Sequence, residues 1–169
     1  MAIDLFTDAF YGTIAFEPIH EFFSDHFTYV DTNPGFTALL GKSWYVGANQ
    51  ADAVKVDLYY TDAYIFPEKV EEGVRMASLE EIIAMKLEVI AHRGRKKDYW
   101  DLHQLHQSYS ISQMIALYSE RYPYGYDEEE IRKALVRFAT ADDDLDPICL
   151  FAKNWELIKL EFTQWTLYE

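Results

Sequence analysis

Two carboxylates, Asp4 and Asp57, stand inside runs of residues that otherwise belong in a sheet. The chain starts Met1-Ala2-Ile3-Asp4-Leu5-Phe6-Thr7 and returns to the same character at Val54-Lys55-Val56-Asp57-Leu58-Tyr59-Tyr60. β-Branched and aromatic residues dominate both runs and predict strands over 2–6 and 54–60. Side chains alternate along a strand. Ala2, Asp4 and Phe6 therefore share one face, as do Lys55, Asp57 and Tyr59. A carboxylate in an apolar strand is costly to bury unless it holds a cation or accepts hydrogen bonds. Two such strands could hold Mg2+, which takes oxygen ligands and often serves a nucleotide phosphate. A third carboxylate, which such a site wants, would fall at Ala2 and is missing there.

A second set of charges lies where apolar residues are expected. Leu79, Ile83, Leu87 and Ile90 follow at helical spacing. Lys86 is four residues after Ile82, three after Ile83 and four before Ile90, so it points with them. Arg93, seven further on, continues the line. A buried lysine needs a partner or it loses its proton. The next helix carries the mirror case: Asp98, Asp101, Leu102 and Leu105 are spaced i, i+3, i+4, i+7, which sets two carboxylates on its core face. One account is an internal ion-pair cluster in which Lys86 and Arg93 neutralise Asp98 and Asp101. The other is an active-site wall, with Lys86 and Arg93 meeting phosphate while Asp98 and Asp101 fix their geometry or assist the chemistry. The run Arg93-Gly94-Arg95-Lys96-Lys97 adds weight to the second account. It holds four of the 15 basic residues of a chain whose net charge is −14. A triphosphate would be attracted there, although Arg95 and Lys96 alone read as a solvated face.

Other features carry less. His103 and His106 have a chelating spacing on a helix, but read first as surface or core histidines. His92 could touch phosphate, yet suits a helix C-terminus without any function. Asp142-Asp143-Asp144 reads as a solvated loop, and the 13 tyrosines fit a packed sheet as well as base stacking. The single cysteine, Cys149, reads as a buried inert thiol and leaves no partner for an intramolecular disulfide. Neither a glycine-rich phosphate loop nor a serine–histidine hydrolase signature is present.

The elements that must position these residues change in character near residue 70. Strands are predicted over 2–6, 27–30, 36–40, 44–48 and 54–60, with a turn at 31–35 and one helix over 17–25. Helices follow. Ser78-Leu79-Glu80-Glu81 reads as a capping box opening the helix of Lys86. Further helices are predicted over 98–107 and 111–120, behind an Asp127 cap with Glu128, Glu129 and Glu130 in the first turn, and from 154 to the end. This is an α+β pattern: residues 1–70 form a sheet region, and residues 71–169 a helical region packed on it as one unit. With half the residues apolar, the chain can bury a core. The acidic balance opposes non-specific nucleic-acid binding. With neither a basic-apolar leader nor a run of about 20 apolar residues, the protein is expected to be cytoplasmic, with no membrane partner.

Taken together, these residues resemble the AbiEii/AbiGii nucleotidyltransferase toxins of the DNA polymerase β-like superfamily, over most of the chain. The strongest stretch is 78–105, where Lys86 leads to Arg93, Lys97-Asp98 and Asp101-Leu102. Ile3-Asp4-Leu5-Phe6-Thr7 looks like the end of the family's aspartate-x-aspartate-leucine-phenylalanine motif, and Val56-Asp57-Leu58 like the strand with the third carboxylate. The resemblance implies a mixed nucleotidyltransferase-type sheet followed by a helical bundle, and transfer of a nucleotidyl group from an NTP to an RNA or protein acceptor. It implies Mg2+ ions at Asp4 and Asp57, catalytic roles for Asp57, Lys86, Asp98 and Asp101, and nucleotide contacts from Lys86, Arg93 and Lys97. An antitoxin is the implied protein partner, in a setting of abortive infection. The family's Gly-Gly-Ser/Thr turn and the first aspartate have no counterpart here. The expectation is therefore an N-terminally truncated chain, weak or inactive in transfer. The alternative is a non-catalytic remnant that binds an antitoxin or pairs with its own copy through an open sheet edge.

Overall fold

The computed structural model describes residues 2–32, 41–149 and 151–169. It divides the chain into two units, Met1–Ala63 and Tyr64–Glu169.

The first unit is a mixed sheet with one helix. Its elements are β1 (Ala2–Thr7), α1 (Phe16–His26), β2 (Tyr29–Thr32), β3 (Gly41–Gly47) and β4 (Val54–Tyr60). The strand order is β1-β4-β3-β2. β1 runs parallel to β4, and the other neighbours are antiparallel. Alternation sorts the strands into two faces. On one face Trp44, Val46 and Val56 form a core, packed by Phe16, Ile19 and Phe23 from one stripe of α1. The other face carries Asp4, Lys55, Asp57, Ser43 and Tyr45. β1 is an edge strand among the described residues, and its Ile3, Leu5 and Phe6 are exposed. The strand expected at 36–40, and residues 33–35 of the expected turn, lie outside the described residues. β2 starts two residues later than expected.

The second unit holds a short hairpin and a helical bundle. The hairpin joins β5 (Lys69–Glu71) and β6 (Val74–Met76). Glu72 and Gly73, both at positive φ, turn it, as tight two-residue hairpins require. Then come α2 (Leu79–Arg93), α3 (Lys96–Leu105), α4 (Ile111–Arg121), α5 (Glu128–Leu135), the single turn α6 (Ala139–Asp142) and α7 (Trp155–Tyr168). The caps are local. Ser110 and Asp127 accept from the backbone N–H three residues on, and Asn154 Oδ1 accepts from the Glu156 N–H at 2.9 Å. Ile83, Leu87, Leu102, Met114, Tyr118, Ile131, Leu135, Ile158 and Phe162 meet in one core. A sheet followed by helices is the observed architecture, and it is the α+β class expected.

The opening of α2 departs from the capping box. Ser78 Oγ accepts from the Glu81 N–H at 3.3 Å, but the Glu81 carboxylate does not turn back to Ser78. It is fully buried and reaches Arg121 Nε of α4 at 2.5 Å. Its other oxygen accepts from the N–H groups of Ile65 (3.1 Å) and Phe66 (3.2 Å). A charged neighbour and two orphan backbone donors outbid one cap contact.

Candidate functional site

In the sheet unit the register places Asp4 and Asp57 side by side. Asp4 is the direct partner of Asp57 across the parallel β1–β4 ladder, and Ser43 is the partner of Asp57 across β3–β4. One row of the open face therefore reads Asp4–Asp57–Ser43. The row beside it reads Ala2–Lys55–Tyr45. Asp57 is 4% exposed and Asp4 is exposed. Both Asp57 oxygens are engaged: Oδ1 accepts from Ser43 Oγ, and Oδ2 from Lys55 Nζ at 2.7 Å. Burial pushes the Asp57 carboxyl up, but the hydrogen bonds from Lys55 and Ser43 outweigh it and hold it below its usual range. Among the described residues no three His, Cys, Asp or Glu side chains converge as a metal cage.

In the helical unit Lys86 is the hub. Its ammonium lies 2.8 Å from Asp98 Oδ1 and 2.7 Å from Asp101 Oδ2. The two carboxylates are not equivalent. The Asp98 side chain is 3% exposed, whereas that of Asp101 is 52% exposed. Three residues on a helix turn through about 300°, so the pair shares a side of α3 but only Asp98 reaches the interior. Asp98 Oδ2 also accepts the Arg95 N–H at 3.1 Å. That bond starts α3 at Lys96, two residues ahead of the expected start. Burial alone would push the Lys86 ammonium down, but the charges and hydrogen bonds of Asp98 and Asp101 raise it. Lys86 therefore stays cationic.

The basic run behaves otherwise than its pattern implies. Arg93 does not join the ion pairs of Asp98 and Asp101; it ends α2 in an exposed position, without an ion pair among the described residues. In the last turn a long side chain reaches water even from the inward stripe. Lys97 is exposed as well. Lys96, expected on a solvated face, is buried: its Nζ meets Asp146 Oδ1 at 2.9 Å, and its N–H donates to Asp144 Oδ2 at 3.2 Å. Gly94 lets the loop pass close to the core, since a Cβ there would lie 2.9 Å from Ile90 Cγ1 and 3.1 Å from the Tyr99 ring. The exposed cations left at this turn are Arg93, Arg95 and Lys97.

The remaining candidates have other partners. His103 Nε2 lies 2.5 Å from Glu161 and its Nδ1 lies 2.8 Å from Lys153 Nζ. His106 stacks flat on Trp165 at 3.6 Å. His92 Nδ1 turns back to the Glu88 carbonyl at 3.0 Å. Cys149 is half-buried. Asp142 is not a free loop residue; it ends α6 and holds Trp155 Nε1 (2.8 Å) and Lys159 Nζ (3.0 Å). Sequence reasoning missed Ser43 and Lys55 as partners of Asp57. Lys55, two residues before Asp57 on the same strand face, carried a readable signal; Ser43, on another strand, carried none.

Two solved structures resemble this fold. One is a Helicobacter pylori protein described as a "putative nucleotidyltransferase", with 21% identity and a TM-score of 0.49 over 81% of this chain and 64% of that one. The other is JHP933 from Helicobacter pylori, with 20% identity and a TM-score of 0.46 over 83% of this chain and 62% of that one. The chain thus spans under two thirds of the length of either. No curated protein matches. The profile of a family described as nucleotidyl transferase AbiEii toxin, type IV TA system, matches residues 8–164, starting just after Asp4. That match takes in Asp57, the whole Lys86–Asp98–Asp101 cluster and all but the last turn of α7, and the chain accordingly belongs to the AbiEii nucleotidyl transferase toxin family.

Proposed function

We propose that the protein is a nucleotidyltransferase that moves a nucleotidyl group from an NTP to an acceptor, RNA or protein. The observation that carries this reading is the Lys86 hub: a lysine kept charged by a buried and a half-exposed carboxylate, beside a turn with three exposed cations. Family membership supports the same reaction class.

Mg2+ fits the residues present. Asp4, Asp57 and Ser43 offer hard oxygen donors in one row, and Lys55 already stands as a cation against Asp57. Mg2+ is commonly held by one or two carboxylates, waters and substrate phosphates. Bound to Asp4 and Asp57, it would supply charge neutralisation for a phosphate oxygen and acidify an acceptor hydroxyl.

The chain's own residues do the rest. Lys86 neutralises developing phosphate charge, since its ammonium keeps its proton. Asp98 holds Lys86 from the buried side, and Asp101 holds it at the rim, where it is also placed to take part with substrate. Arg93 and Lys97 attract the triphosphate from solvent. An NTP titration by calorimetry with Mg2+ tests this reading. Lys86→Met should weaken binding about tenfold or more, and an unchanged affinity would return Lys86 to a purely structural role.

A second reading is favoured by the exposed β1 edge with Ile3, Leu5 and Phe6. On it the protein is a non-catalytic module whose sheet edge receives an antitoxin or a second copy. A strictly monomeric mass at high concentration would count against the self-pairing form.

A further inference from the structure

We propose that Lys55 is a built-in competitor for the metal site, occupying the Asp57 carboxylate until a divalent ion displaces it. The inference rests on the metal role assigned to Asp4 and Asp57. A lysine two residues along a strand stands about 6.6 Å away at its Cα, and its four-carbon stem can arc back. Here it does: Lys55 Nζ takes Asp57 Oδ2 at 2.7 Å, while Ser43 takes Oδ1. Asp57 thus has its cation and its hydrogen bond from within the chain. Asp4 lies in register on the next strand. Without Lys55, two carboxylates about 4.8 Å apart on adjacent strands would repel.

The row beside the carboxylates explains why Lys55 is free to do this. Its partner on β1 is Ala2, which offers no charge, and its partner on β3 is Tyr45. Asp57 is the carboxylate with which it pairs. Yet the side chain remains 32% exposed, so it can swing to solvent without opening the core. A divalent ion at Asp57 and Asp4 must take Oδ2 from the ammonium. Lys55 therefore weakens metal binding and holds the metal-free site together.

Mn2+ is the probe, followed by electron paramagnetic resonance of the free hydrated ion, with no substrate present. Lys55→Met should bind Mn2+ up to about fivefold more tightly than wild type, the scale of one partly exposed ion pair. It should also melt lower than wild type without metal and gain more from saturating Mn2+. Lys55→Met/Asp57→Asn should lose the gain in affinity. If Lys55→Met binds Mn2+ as weakly as wild type, or more weakly, the competitor role fails while the metal site stands. If neither chain binds Mn2+, the metal reading fails as well, and Lys55–Asp57 is only an ion pair of the sheet.

Discussion

Replacing Lys86 with methionine separates the buried half of its cluster from the exposed half. Methionine retains most of the aliphatic stem, so no cavity opens and the change is one of charge. Asp98 then keeps a buried carboxylate that has lost its 2.8 Å ammonium. Removing one partner of a buried pair costs about 3–5 kcal/mol. Asp98 retains the Arg95 N–H at 3.1 Å and the Arg95 guanidinium at 3.9 Å, which puts this case at the low end, about 3 kcal/mol. Asp101 is half exposed, and its share is about 0–1 kcal/mol. In a unit of this size the loss should lower the melting temperature by roughly 10–20 °C, read by circular dichroism at 222 nm. Asp101→Asn should lower it by only a few degrees (about 0–1 kcal/mol). The pH dependence has a defined sign. Lys86 has a raised pKa in the folded chain, so its contribution is complete below the unfolded lysine value of about 10.4 and fades as the pH rises through the folded one. The gap between wild type and Lys86→Met should hold through neutral pH and narrow only in strong alkali. A Lys86→Met protein that melts with or above wild type, or an Asp101→Asn protein as unstable as Lys86→Met, would refute the reasoning.

Two other perturbations follow from the same physics. Arg121→Met leaves the fully buried Glu81 carboxylate, among the described residues, with its two backbone donors and no guanidinium, and should cost about 3–5 kcal/mol in a denaturant melt, of which Glu81→Gln in the same chain should restore part. His103 has a pKa lowered chiefly by burial, with Lys153 also opposing its charge. The unfolded chain thus binds a proton that the folded chain resists, so stability should fall as the pH drops from about 7 through the unfolded value near 6.5. His103→Gln should flatten that fall, and an equal slope in both chains would assign it elsewhere.

What the sequence disclosed was mostly local. Ser78 and Asp127 announce their helices because a cap is settled within four residues. The inward face of Lys86 and its pairing with Asp98 and Asp101 were legible because both helices obey one period and a short loop joins them. Contacts between distant segments were not legible. The direct Asp4–Asp57 partnership depends on β1 lying beside β4, and the strand order that achieves it leaves no mark on either run. Glu81 looked like half of a capping box because nothing near it names Arg121, 40 residues away. Lys96 looked solvated because a run of charge hides the one member with acidic partners near residue 145. Arg93 obeyed the period and still reached water, since the helix ends there. The Glu72-Gly73 hairpin lacks the asparagine or aspartate that usually precedes the glycine.

The central claim is nucleotidyl transfer, and the position of the label decides it. The protein would be incubated with Mg2+ and each NTP labelled at either the α- or the γ-phosphate, with total RNA and the protein itself as acceptors, alongside Asp57→Asn. Mg2+-dependent incorporation of the α-label with release of pyrophosphate is expected, lost in Asp57→Asn. Incorporation of the γ-label, or no α-label above the Asp57→Asn background, would contradict it.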